Sequence, residues 1–213
     1  MEAIGVIDYG MGNLHSLVKS LERVASSRRV TVSYDPETLL KCDHLVLPGV
    51  GGVKACMKEL RRLELDELVQ EAAKTVPLLG VCLGMQVMLD RSDENEGVPA
   101  LGLIPGSVER FPDPVAGDGE RLKVPHMGWN RIRRERDHPI WQGVPEDAWF
   151  YFVHSYRAIP EQPEHLLATT DYISRFAAAV AHDNIVAFQF HPEKSHTAGL
   201  QLLSNFVQWD GAS

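Results

Sequence analysis

Cysteine is scarce in this sequence: three residues, Cys42, Cys56 and Cys82, in 213. They are too few and too irregularly spaced for a disulfide framework or a zinc cluster, and fit reduced thiols in a cytosolic protein. Long apolar runs are missing, since none reaches the ~18 residues that a membrane-crossing helix needs. Positive charge is in deficit. Twenty-one Lys and Arg against 29 Asp and Glu leave a net charge of −8, which argues against nucleic acid or an anionic membrane as the main partner. The opening MEAIGVIDYG has no basic segment before its apolar residues and reads as a first strand, not a secretory leader. Repeats, low-complexity stretches and linkers are also lacking, so residues 1–213 are expected to form one domain. Hydrophobic residues at 44% and charged residues at 23% supply an ordinary globular core.

Nine histidines are many, yet none forms H-x-H or H-E-x-x-H. His191 and His196 are interrupted by Pro192 and make a poor ligand pair, so no metal and no cofactor is expected. His15, His138 and His165 are expected to be solvated.

The first half alternates strand and helix. Residues 3–8 (AIGVID) are an apolar run with β-branched members, and 9–12 are a turn. Residues 14–25 place Leu14, Leu17, Val18 and Leu21 at helical spacing. Short strands are predicted at 30–34, 44–47 and 77–81, and helices at 53–61, at 64–74 and from Leu83 onward. Near-continuous apolar strands between helices imply a parallel sheet covered on both faces. Residues 97–125 are rich in Gly and Pro, with no strand predicted. Strand-like segments at 148–153, 166–169, 176–182 and 185–190 then follow with few helices between them, which points to antiparallel additions. A closing helix is predicted over 198–207. The fold class is α/β: a sandwich with a mixed central sheet.

Gly80-Val81-Cys82-Leu83-Gly84 carries the strongest local signal. A buried strand ends, one residue turns sharply and a helix begins, the cysteine counterpart of a nucleophile elbow. The sulfur is then pushed out over the C-terminal edge of the sheet, where open α/β folds place their ligands, beside a helix N-terminus that favours thiolate. The plain alternative is a buried structural cysteine between two turn glycines. A thiolate nucleophile needs a base, and the base an orienting group. Phe190-His191-Pro192-Glu193 offers both, with His191 and Glu193 on the same side of an extended segment. The plain alternative is an exposed His and Glu after a strand. Acyl transfer also needs donors for an oxyanion. The glycine-rich 48–52 (PGVGG) could expose backbone N–H groups at the same edge, or be a simple strand-to-helix loop. A phosphate loop is disfavoured by the missing Lys-Ser/Thr and G-x-G-x-x-G.

Taken together, P-G-V-G (48–51), G-V-C-L-G-M-Q (80–86) and F-H-P-E-K-S (190–195) resemble the class I glutamine amidotransferases in order and separation across nearly the whole chain. The resemblance implies a three-layer sandwich on a flavodoxin-like core with a mostly parallel, mixed sheet. Residues 7–14 (IDYGMGNL), 102–108 (GLIPGSV), 124–130 (VPHMGWN) and 151–156 (YFVHSY) resemble the glutaminase subunits of imidazole glycerol phosphate synthases. Two positions depart from that pattern. Gly52-Val53 stands where Ala-Phe is usual, on the flank of the oxyanion segment. Asp90 replaces an apolar or aromatic residue near the end of the expected elbow helix.

The resemblance implies a mechanism. Cys82 attacks the side-chain amide of L-glutamine, and His191, held by Glu193, protonates the leaving ammonia and then activates water against the thioester. The Val50 and Leu83 amides form the oxyanion hole. Gly49, Gly51, Gln86, Ser155 and Tyr156 meet the substrate, with Gln86 and the Ser155-Tyr156 backbone holding its amino and carboxylate groups. Free ammonia is largely protonated at neutral pH, which explains a sealed route into a partner. The partner implied is a (β/α)8-barrel cyclase subunit in a heterodimer, met through Asn13, Met127, Trp129, Tyr151 and Lys194. Other amidotransferase subunits, a non-catalytic binding relative and a cysteine hydrolase on the same fold are the rivals. The segments at 124–130 and 151–156 disfavour the first, the complete triad the second, and the H-P-E ending the third.

Overall fold

The computed structural model describes residues 2–12, 14–113 and 122–212. Asn13, expected at the partner face, lies outside the described residues. The first half follows its hydrophobic pattern. Strand β1 (Ala3–Ile7) leads to helix α1 (Leu14–Val24), and β2 (Arg29–Ser33) through the short α2 (Pro36–Leu39) to β3 (His44–Gly49). Helices α3 (Val53–Arg62) and α4 (Leu65–Ala72) precede β4 (Leu78–Cys82). Local chemistry sets some of these boundaries. Asp35 caps α2 by accepting from the N–H groups of Glu37 and Thr38, with Pro36 opening the helix.

The chain then enters α5 (Leu83–Val87), β5 (Leu89–Ser92), β6 (Val98–Pro99), β7 (Ile104–Arg110), β8 (His126–Arg131) and β9 (Arg133–Arg134). It ends through β10 (Trp149–His154), β11 (Tyr156–Pro160), β12 (Leu166–Asp171), β13 (Arg175–His182), β14 (Ile185–Phe188) and α6 (His196–Gln208). The central sheet runs β2-β1-β3-β4-β14-β13-β12-β9. Its first five strands pair in parallel and the last three are antiparallel additions. Strands β3, β4 and β14 are buried along their whole lengths, as strands covered on both faces must be. One face packs Leu17 and Leu21 of α1 with Leu203 and Phe206 of α6. The other packs Met57 and Leu60 of α3 with Leu68 and Val69 of α4. The expected three-layer α/β sandwich is therefore the observed one. No helix among the described residues is long and apolar enough to cross a membrane.

Three expectations need correction. The helix after Cys82 is only five residues long, because the carbonyls that would continue it are taken by another segment. Val87 O accepts from Leu101 N, Met88 O from Leu103 N and Ile104 N, and Leu89 O from Gly102 N. The chain at Asp90 is therefore strand β5, and its exposed carboxylate accepts from the Gly106 N–H at 2.7 Å. That explains a polar residue where an apolar helix end was expected. Second, residues 97–125 contain β7, the centre of a four-stranded sheet in the order β11-β7-β5-β6. Third, His138 and His165 are buried, while His15 is exposed. The His138 ring accepts from Ile140 N at 3.1 Å, and burial pushes it down to about 4. The His165 ring packs 4.3 Å from that of His182.

Candidate active site

Because β3, β4 and β14 are neighbours in the parallel sheet, their C-terminal ends bring three distant segments together. Gly49 sits in register with Cys82, and Phe188 ends β14 three residues before His191. This is the edge where open α/β sheets place ligands.

Cys82 has φ 55° and ψ −107°, a left-handed backbone that a residue with a side chain rarely adopts. Such strain costs of the order of 1–3 kcal/mol and persists only where surrounding structure enforces it. The flanking glycines do not share that conformation, since neither has positive φ. They provide close approach instead. A Cβ on Gly80 would lie 2.8 Å from Met88 Sδ and 2.9 Å from Ala187 Cβ, and one on Gly84 would lie 1.8 Å from the Leu47 carbonyl oxygen. The elbow is thus clamped between β3 and β14, and its strain falls on the cysteine.

His191 is fixed from its backbone outward. Its N–H donates to Tyr151 O at 2.9 Å, and its carbonyl accepts from Ser195 Oγ at 2.6 Å. Its Nδ1 lies 2.8 Å from Glu193 Oε1, with the two side chains only 4% and 5% exposed. The pairing is the expected one, but the local geometry is not. Pro192–Lys194 is a 3-10 turn, not an extended segment, and the turn bends Glu193 back under the ring. A carboxylate can only accept, so Nδ1 carries the proton and Nε2 is left for Cys82. Nε2 is buried and makes no hydrogen bond among the described residues. Burial alone would lower the ring's pKa, but Cys82 and Glu193 outweigh it and raise it to about 9.

Cys82 and His191 open on one cavity of about 420 Å³, whose wall includes Val50, Gln86, Glu94 and Tyr156. That is within the usual range for a small polar metabolite. Gly51, Leu83 and Ser155 also line it, while Gly49 lies behind Val50 at the end of β3. Leu83 is the first residue of α5, so its N–H has no acceptor within the helix. Gln86 Nε2 donates to Tyr156 O and to Gln189 Oε1, both at 3.0 Å. Gln189 Nε2 lies 3.8 Å from Cys82 Sγ. His154 Nδ1 donates to the same Tyr156 carbonyl at 2.7 Å, which ties the 154–156 wall to Gln86.

Three polar residues at the site were not picked out individually in the sequence: Gln189 beside Cys82, and His154 and Glu94 on the cavity wall. Gln189 precedes a recognised segment, and His154 lies inside one. Glu94 had no local signal, because its partner is distant: its Oε2 accepts from Val53 N at 2.6 Å. A Cβ on Gly52 would lie 2.2 Å from Glu94 Oε1. The glycine at position 52 therefore makes room for this carboxylate.

Four of the five expected partner-face residues lie near one another beside His191 and Glu193. Strand β8 carries Met127 and Trp129 opposite Val153 and Tyr151 of β10. Met127 is 64% and Trp129 40% exposed, and Lys194 Nζ lies 5.6 Å from the Tyr151 ring centre. Trp129 stacks on His196 at 4.7 Å. Trp149, not expected, extends the patch and is 49% exposed. No group of three or more metal-ligating side chains exists among the described residues.

The family model for "Glutamine amidotransferase class-I" matches residues 5–209. The chain is 53% identical to the imidazole glycerol phosphate synthase subunit HisH of Nitrosococcus oceani over all of both chains. It is 51% identical to the HisH subunit of Methylococcus capsulatus, over 99% of this chain and 98% of that one. Among solved structures, PurLQS from Thermotoga maritima superposes with a TM-score of 0.71 at 13% identity, covering 97% of each chain. A glutamine amidotransferase from Thermotoga maritima gives 0.61 at 15% identity, covering 91% of this chain and 76% of that one. At those identities the superpositions speak for the fold alone. The model match, the full-length identities and the clamped cysteine elbow agree: the chain belongs to the class I glutamine amidotransferase family, among the HisH subunits of imidazole glycerol phosphate synthase.

Proposed function

We infer that the chain is the glutaminase subunit of an imidazole glycerol phosphate synthase in histidine biosynthesis, acting in the cytoplasm as one domain. It hydrolyses L-glutamine to glutamate and ammonia and passes the ammonia to a cyclase subunit, which we take to be a (β/α)8 barrel. The cyclase uses it to make imidazole glycerol phosphate and an aminoimidazole carboxamide ribonucleotide. One observation carries the catalytic part of this reading. A strained cysteine and a histidine tethered 2.8 Å from a carboxylate share one cavity.

The chemistry follows from those positions. Cys82 gives its proton to His191 Nε2, its Sγ forms a bond to the side-chain carbonyl carbon of glutamine, and the oxygen takes the electron pair of the carbonyl bond. The N–H groups of Val50 and Leu83 receive that charge. Protonated His191 gives its Nε2 proton to the departing nitrogen, leaving a thioester and ammonia. Neutral His191 then takes a proton from water, which attacks the thioester and releases glutamate. Glu193 holds the ring in the correct tautomer and stabilises its cationic form. Gln86 and the Ser155-Tyr156 backbone orient the amino and carboxylate groups. Glu94 offers negative charge to the substrate's ammonium from the same wall. The test is acid quenching of the complex during turnover, then mass analysis of the peptide bearing Cys82. A glutamyl adduct on Cys82 is expected, and its absence during steady turnover refutes the nucleophile. Four partner-face residues, Met127, Trp129, Tyr151 and Lys194, form the docking surface in this reading. The exposed apolar surface around the two tryptophans supports it.

A further inference from the structure

The segment from Gly49 to Gly52 is held at both ends. At its far end, Glu94 accepts from Val53 N. At its near end stands Tyr9, in the turn after β1, with its side chain 1% exposed. The Tyr9 hydroxyl donates to the Pro48 carbonyl at 2.9 Å, across 39 positions of sequence. The fit is tight, since a Cβ on Gly49 would lie 2.4 Å from that hydroxyl oxygen. Burial, then the Cys56 and Cys82 thiols, pushes the phenol well above its ordinary range, so it remains a donor. Between the two anchors the backbone is less confined: Gly51 has φ +96° and Val50 is 42% exposed.

A peptide is a rigid plane, so fixing its carbonyl fixes its N–H as well. Holding Pro48 O immobilises the Pro48–Gly49 peptide. The next plane, which carries the Val50 N–H, is left to turn about Gly49. We propose that Tyr9 is a positioning residue for glutamine hydrolysis, holding the Pro48–Gly49 peptide from which the Val50 N–H is presented to Cys82. The inference rests on the reading of Val50 as an oxyanion donor. Without the hydroxyl, the Pro48–Gly49 peptide loses its side-chain anchor and keeps only its pairing with β4, and the Val50 donor is aimed correctly for less of the time. The oxyanion exists only after attack by sulfur. The loss therefore falls on turnover and not on glutamine binding.

The test is Tyr9→Phe in the complete complex with the cyclase subunit, keeping the ring and deleting the hydroxyl. Glutamine-supported kcat is expected to fall about tenfold, less than the 10²–10³ for outright loss of a donor. The KM for glutamine should stay within about twofold, because ground-state contacts are untouched. Synthesis from added ammonium salt, and the alkylation rate of Cys82 by iodoacetamide, should both be unchanged. A kcat within about twofold of wild type overturns the proposal. So does a fall in kcat matched by loss of ammonium-supported synthesis or of Cys82 alkylation, which marks a general structural role. A Cys82→Ala complex run alongside separates the two levels. If it retains glutaminase, the reading of the site fails; if it is inactive and Tyr9→Phe is not impaired, only the Tyr9 inference fails.

Discussion

The two sides of the catalytic cavity are built differently. The elbow side is fixed: Cys82 is held in a strained conformation by neighbours that leave no room for a Cβ at Gly80 or Gly84. The side formed by 49–52 and the β8–β10 ribbon is open, with exposed Val50, Met127, Trp129 and Trp149. Interiors packed to crystal density have few alternative arrangements, whereas glycine-rich backbone and exposed apolar surface have several. On the proposed reading, the nucleophile is therefore preset by the fold, and the part proposed to receive the oxyanion and meet the partner is left adjustable. An enzyme that should release ammonia only when a partner is ready gains from that division.

The fixed side should fail most severely when its chemistry is removed. His191→Asn is expected to lower glutaminase kcat by about three to four orders of magnitude, with Glu193→Gln less damaging, because His191 moves the proton and Glu193 orients and stabilises it. Steady-state glutamate release by the two complexes gives the order. The reverse order, with both folded, would show that the roles are misassigned.

Packing gives the next largest effect. Gly84→Ala places a methyl 1.8 Å from the Leu47 carbonyl oxygen, a backbone atom in β3 that cannot move aside. A loss of about 3 kcal/mol or more in unfolding free energy is expected, at the upper end of overpacking costs. Denaturant titration measures it. A loss below about 1 kcal/mol would mean that the elbow is not clamped as described.

These two sites also show what a sequence displays. The elbow and the H-P-E segment were legible because each is a short run whose residue types answer local demands: close approach at the glycines, and the nucleophile, base and carboxylate of the proposed chemistry. The parallel core was legible because strands buried on both faces are apolar throughout. Strand β7 and the early end of α5 were not, because both depend on segment 101–104 competing for the carbonyls of Val87, Met88 and Leu89. Glu94 was missed for a similar reason, since its partner Val53 is 41 positions away. His138 and His165 looked like surface residues because burial of a lone histidine leaves no periodic mark.

The open side predicts a smaller effect, on association. Trp129→Ala removes a large ring that stacks on His196 and meets Tyr151 edge-on at 5.8 Å. If it is a central anchor, affinity for the cyclase should fall by about 2 kcal/mol, with little change in the stability of the isolated chain. Titration calorimetry with the cyclase measures this. Unchanged affinity would remove Trp129 from the interface.

The smallest effect is a pH dependence with a defined sign. The folded His191 pKa is raised from 6.5 to about 9. Its protonation therefore stabilises the native state fully below pH 6.5, and that contribution is lost as pH rises through about 9. The unfolding midpoint of wild type relative to His191→Asn should narrow across that window. A gap that widens instead would mean that the ring is neutral in the resting site.

The central claim is that this chain makes ammonia at Cys82 while synthesis occurs elsewhere, and one substitution tests it with two nitrogen sources. In the complex with the cyclase, Cys82→Ala should abolish synthesis from glutamine, a loss of several orders of magnitude. Synthesis from added ammonium salt should continue at the wild-type rate. Glutamine-supported synthesis near wild type, or equal loss with both nitrogen sources, would contradict the account.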